Sequence, residues 1–96
     1  MKIVINQCYG GFSLSELACK MLNCSVYDYN YYNKRNSPEL IDVLETLGSL
    51  ANSSMSNLSI VEIPDGIKWA IKEYDGSEWV CSEHQTWPDQ NLEFHE

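Results

Sequence analysis

Cys8 stands just ahead of Tyr9-Gly10-Gly11-Phe12, where an apolar run gives way to a helical pattern. A thiol at a helix start ionises more readily than a free one, so the position could suit a nucleophile. A cysteine nucleophile also needs a base, and His84 is the one histidine within the patterned part of the chain. No third group is specified to orient it, so thiol catalysis is not expected and the chain reads as non-enzymatic. The Gly10-Gly11 turn could instead turn backbone N–H groups toward an anion. The aromatic and basic stretch Tyr31-Tyr32-Asn33-Lys34-Arg35 could add stacking and charge. Gly10, Gly11, Tyr31, Tyr32, Lys34 and Arg35 therefore make an alternative site for a small ligand, such as a nucleotide signal. Two glycines alone fall short of a phosphate-loop fingerprint, which needs more glycines and a lysine at set spacing. Cys19 and Cys24 lack Cys-x-x-Cys spacing, and His84 and His95 are remote, so neither metal nor cofactor is expected.

The more abundant chemical groups are carboxylates. The 96 residues carry 14 Asp and Glu against 6 Lys and Arg, a formal charge of −8. Residues 1–38 hold two acids, Glu16 and Asp28, against Lys2, Lys20, Lys34 and Arg35, which leaves +2. Residues 39–96 hold 12 acids against Lys68 and Lys72, which leaves −10. Glu39, Asp42 and Glu45 recur every third residue, a rise of about 4.5 Å per step on a helix. Like charges at that spacing repel by a few tenths of a kcal/mol per pair. Further acids gather at turns: Glu62 and Asp65, then Glu73, Asp75 and Glu78, with Glu83 beyond. Such acidity argues against direct contact with nucleic acid or an anionic membrane. It suits a basic protein partner instead. Duplex DNA carries one phosphate per roughly 3.4 Å of axis on each strand, so a row of carboxylates can occupy a nucleic-acid-binding groove in its place.

These groups need elements to position them. Lys2 to Cys8 reads as a strand, through the β-branched run Ile3-Val4-Ile5. Ser13 and Glu16 have capping-box spacing, and Leu14, Leu17, Ala18, Met21 and Leu22 form one stripe of a helix over 14–23. Cys24 to Tyr29 reads as a second strand and 30–36 as a loop. Ser37-Pro38-Glu39 opens a second helix, with Leu40, Ile41, Leu44 and Leu47 as its apolar face and Gly48 at its end. The serine-rich segment 49–57 reads as a flexible connection. Leu58 to Ile63, Ile67 to Lys72 and Trp79 to His84 read as strands, joined by Pro64-Asp65-Gly66 and by the hairpin signal Asp75-Gly76. Residues 85–96 read as a surface tail. The order β-α-β-α-β-β-β predicts a single two-layer α+β domain over 1–96. Both amphipathic helices are expected on one face of a mixed or antiparallel sheet, with Trp69 and Trp79 as candidate core anchors. The four cysteines read as buried thiols in a reducing compartment, because the start of the chain turns polar too early for a signal peptide.

Two blocks carry a resemblance: Lys2-Ile3-Val4-Ile5-Asn6-Gln7-Cys8-Tyr9-Gly10-Gly11-Phe12-Ser13-Leu14-Ser15, and Val61-Glu62-Ile63-Pro64-Asp65-Gly66 with Glu73-Tyr74-Asp75-Gly76-Ser77-Glu78-Trp79-Val80. They resemble a family of small phage and prophage proteins that begin with a near-identical strand, turn and helix start. The middle here is shorter than in that family, and His84-Gln85-Thr86-Trp87 has Gln where the family has a basic residue. The resemblance implies a phage product made in a bacterial cytosol and implies no reaction. Length and acidity resemble those of DNA-mimicking anti-CRISPR proteins, including inhibitors of type I-F complexes. The expected partner is therefore a basic nucleic-acid-binding protein or CRISPR surveillance complex of the host. The expected contacts are Glu39, Asp42, Glu45, Glu62, Asp65, Glu73, Asp75, Glu78 and Glu83.

Overall fold

The computed structural model describes residues 1–26, 30–82 and 85–88. Five strands and two helices follow one another as β1 (Lys2–Asn6), α1 (Glu16–Met21), α2 (Pro38–Leu47), β2 (Leu58–Glu62), β3 (Ala70–Tyr74), β4 (Ser77–Cys81) and β5 (Thr86–Trp87). Short 3₁₀ turns at Asn30–Asn33 and Gly48–Ala51 flank α2. The α+β class is as the sequence predicts. The strands divide between two sheets, antiparallel throughout: a β1–β2 ribbon and a β3–β4–β5 meander.

Strand alternation explains how these parts stack. Val4 points into a cluster with Ala18 of α1 and Leu40, Ile41, Val43 and Leu44 of α2. Its neighbours Ile3 and Ile5 point the other way, into a cluster with Ile63 and Val80, bordered by Ile67, Trp69, Ile71 and Trp87. Side chains of a strand alternate between its two faces. The ribbon thus lies between the helices and the meander, and β1 is buried on both sides, with Ile3, Val4 and Ile5 all at 0% exposure. Each such side chain removed from water contributes roughly 1.5–3 kcal/mol. Trp69 borders this core as expected. Trp79 does not, because it pairs with Lys72 on the outer face of the hairpin.

The second helix forms as its sequence dictates. Ser37 is the N-cap, Pro38 occupies the first turn, and Gly48 closes the helix at φ 57°. The first helix is shorter than the stripe suggested. Its cap is Ser15, whose hydroxyl accepts from the Ala18 N–H at 3.1 Å, and not Ser13. Ser13 is drawn instead to the serine-rich segment, where its hydroxyl meets Ser53 at 2.6 Å and its carbonyl accepts from Ser56 at 2.8 Å. Leu14 bridges to Asn52 beside it. These bonds hold segment 49–57 in place, in contrast to the flexible connection its composition suggested. Leu17 and Met21, part of the expected apolar stripe, stay exposed.

Cys24 to Val26 form no strand, and Tyr27 to Tyr29 lie outside the described residues. The outer edge of β1, where a strand could have paired, is met instead by the Arg35 carbonyl, which accepts from the Val4 N–H at 2.8 Å. At the far end Thr86–Trp87 pairs with β4, so the expected surface tail begins as a strand. Residues 89–96 lie outside the described residues. Cys19 is buried, and Cys8, Cys24 and Cys81 are half-buried. No helix among the described residues is long and apolar enough to cross a membrane.

Candidate functional site

Helix α2 turns Leu40, Ile41, Val43 and Leu44 inward and leaves Glu39, Asp42 and Glu45 exposed on its outer side. The three carboxylates line a groove of about 600 Å³ whose other wall is Met1 and Lys2, at the start of β1. The Ser37 hydroxyl donates to Glu39 Oε1 at 2.8 Å. Glu39's own backbone N–H, then this hydroxyl, hold its carboxyl below the ordinary glutamate value. Lys2 crosses the groove to pair with Glu45. The hydrogen bond to Glu45, and then the charge of Glu45, hold the Lys2 ammonium above the ordinary lysine value. Glu62 stands opposite Lys2 in the β1–β2 ladder, and Asp65 pairs with the Met1 amine at 2.8 Å. That amine, by hydrogen bond and then by charge, keeps the Asp65 carboxyl below its ordinary value. Glu39, Asp42, Glu45, Glu62 and Asp65 therefore gather at one end of the molecule, with Lys2 and the Met1 amine among them. Five acids against Lys2 and the Met1 amine leave −3, and Lys34 beside Glu39 brings the sum to −2, negative but interleaved with positive charge.

The hairpin acids are elsewhere. Asn6 Nδ2 donates to the Gly76 carbonyl at 2.7 Å, so the turn sits at the opposite end of β1 from Lys2. Four residues of strand separate those ends by about 13 Å. Glu73 and Asp75 are exposed there, and Glu73 Oε2 accepts from the Gly76 N–H at 2.8 Å. Asp75 and Gly76 take φ 52° and 91°, as a two-residue hairpin turn requires. Glu83 lies outside the described residues.

Glu78 corrects the sequence reading outright. It is 5% exposed and cannot serve as a surface contact. Its oxygens accept from Arg35 Nη1 and Nη2 at 2.7 and 2.9 Å, and Oε1 also accepts from the Asn6 N–H at 2.8 Å. Arg35 is 3% exposed, donates from Nε to the Tyr32 carbonyl at 2.8 Å, and lies 3.7 Å from the centre of the Phe12 ring. Tyr32 stands edge-on to Phe12 and 4.8 Å from the same guanidinium. A charge buried on both sides of a bidentate pair is a structural clamp, joining segment 30–36 to β1 and β4.

The alternative ligand site is taken apart by the same contacts. The charge of Arg35 is used by Glu78, and Tyr31 packs at the border of the helical core. Lys34 remains exposed but lies toward Glu39. The Gly10-Gly11 turn is a packing joint: a Cβ at Gly10 would fall 1.8 Å from the Met55 carbonyl oxygen, and one at Gly76 would fall 2.7 Å from Gly11 N. Gly10 is there for close backbone approach and Gly11 for its positive φ of 98°, the simpler of their two readings.

Glu39, Asp42 and Glu45 lie exposed opposite the apolar face of α2, as their spacing predicts, whereas sequence reasoning missed the Arg35–Glu78–Asn6 clamp. One signal was present. A two-residue Asp75-Gly76 turn sets Glu73 opposite Glu78, and two like charges in that position destabilise a hairpin unless a cation joins them. Among the described residues, no three His, Cys, Asp or Glu side chains converge as a metal would need. Comparison with protein-family models, with curated proteins and with solved structures finds no match for this chain.

Proposed function

We propose that this chain is a non-catalytic inhibitor that docks the outer face of α2 onto a basic, nucleic-acid-binding protein and occupies the place of phosphates. The observation that carries this reading is the exposed row Glu39, Asp42 and Glu45 along one groove, joined by Glu62 and Asp65 at the same end. A stability role alone would favour basic residues interspersed along the helix, and α2 has none in its last turn. Lys2 inside the patch is consistent with docking, since a partner arginine can displace its exposed contact with Glu45 at little cost. The proposal includes a phage origin, as the resemblance of the amino-terminal block implies, and with it a bacterial host factor as the target. A type I-F CRISPR surveillance complex is the narrowest form of the proposal.

The test compares the wild-type chain with the double variant Asp42→Lys/Glu45→Lys as immobilised baits for bacterial lysate at low and high salt. The same pair is then assayed for blocking target-DNA binding by a type I-F complex. Nucleic-acid-binding proteins should be retained by the wild type, and about tenfold more weakly by the variant, or roughly 1.4 kcal/mol. High salt should weaken retention similarly. Retention indifferent to both changes would remove the proposal, whereas failure to block the type I-F complex alone would remove only its narrowest form.

A further inference from the structure

On the opposite side of β1 from α2, the meander and segment 30–36 enclose a cleft of about 270 Å³. Tyr32 and Trp69 contribute aromatic surface to it, Ile71 an apolar wall, and Glu73 and Glu78 carboxylates, with Arg35 bound to Glu78. Three observations fix what it can hold. Its volume of about 270 Å³ lies at the lower edge of the roughly 300–1,000 Å³ of small-molecule sites and is ample for a single side chain. Glu73 and Glu78 face each other across the hairpin while only Glu78 has a guanidinium, so a second cation would complete the set. Lys72 cannot supply it, because strand alternation puts it on the other face with Trp79. Glu73 accepts from the Gly76 N–H but has no cation, so a neutral occupant would take water from its carboxylate with one hydrogen bond to offset the loss, and an anion would meet its unpaired charge.

We infer that this cleft is a receptor for an arginine side chain of the partner, its guanidinium against the Tyr32 and Trp69 rings and paired to Glu73. Aromatic faces attract cations, and the planar, weakly hydrated guanidinium stacks on them better than an ammonium does. Segment 32–38 runs from this cleft to the first turn of α2, where Pro38 and Glu39 border the acidic groove. The inference deepens the docking proposal and rests on its reading of the partner as basic, but it can fail separately.

The test titrates the whole chain with the peptide acetyl-Gly-Arg-Gly-amide and with its citrulline analogue, which keeps the shape and loses the charge. The readout is the NMR shift of the Trp69 indole N–H, with those of Trp79 and Trp87 as internal references. The arginine peptide should shift Trp69 saturably, and citrulline should bind about tenfold more weakly. Glu73→Gln should lose the same factor, Glu73→Asp should recover part of it, and Asp42→Lys should leave it unchanged. Equal binding of citrulline, or indifference to Glu73→Gln in a variant that keeps its dispersed spectrum, overturns the inference. Shifts abolished by Asp42→Lys and not by Glu73→Gln would overturn it too, while leaving the acidic α2 face as the docking site.

Discussion

Arg35 illustrates how position overrides residue type. In a run of Tyr, Asn and Lys it looks like a surface cation, yet it is enclosed between Phe12, Tyr32 and Glu78. Nothing in residues 30–36 alone announces this, because the burial comes from β4, more than forty residues away. Asn6 was equally opaque: it is fully buried, and its amide donates to the Cys8 and Gly76 carbonyls while its oxygen accepts from the Asn57 N–H. Among the described residues every buried side-chain polar atom has a partner, which is the condition on which such groups can be enclosed. The clamp predicts a large, asymmetric mutational cost. Arg35→Met leaves the Glu78 carboxylate buried without its cation and should cost about 3–5 kcal/mol in urea denaturation. The double change Arg35→Met/Glu78→Leu should cost much less than the single one, since no charge is then stranded. A single variant within about 1 kcal/mol of wild type would mean that the pair is not buried as described.

Elements were legible where local chemistry and tertiary packing agree. Helix α2 has cap, proline, apolar face and closing glycine in register, and it forms over Pro38–Leu47. The Asp75-Gly76 hairpin is specified by its turn alone. Misreadings fall where two local solutions compete. Ser13 and Ser15 can each cap a helix, and the winner is the one that is not itself bonded to Ser53 and Ser56. The serine-rich segment reads as loose because hydroxyl partners cannot be seen in composition. At this scale Glu39 gives a pH test. Its folded carboxyl lies below the ordinary value, so its contribution to stability is fully present above that value and is lost as pH falls through the lower folded one. The melting-temperature gap between wild type and Glu39→Gln should therefore be present at pH 6–7 and shrink as the pH falls below the ordinary glutamate value of about 4.3. A gap unchanged from pH 7 to pH 3 would show that the Ser37 and backbone hydrogen bonds to Glu39 do not favour its ionised form.

Across the whole molecule, β1 is the hinge of the design, giving one face to the helices and the other to the meander. The charge map follows from that stacking. Among the described residues the charge gathers in a mixed but net-negative end around Met1, Lys2 and α2, a buried neutral pair at the centre, and a smaller acidic tip at Glu73 and Asp75, while five of the 14 acids lie outside those residues. The count by sequence segment anticipated where acid is abundant. It could not anticipate that Lys2, Arg35 and the Met1 amine would be spent on it, because these pairings span 43 to 64 positions along the chain. The inhibitor reading thus narrows from an acidic half to one acidic face. That face is best tested by photo-crosslinking in bacteria, with a reactive residue placed at Asp42 or, as the control, at exposed Ser54 near the opposite end of β1. Adducts from position 42 on basic, nucleic-acid-contacting segments of a host protein, with position 54 silent, are the predicted result. Equal labelling from both positions, or adducts on acidic or apolar surfaces, would contradict it.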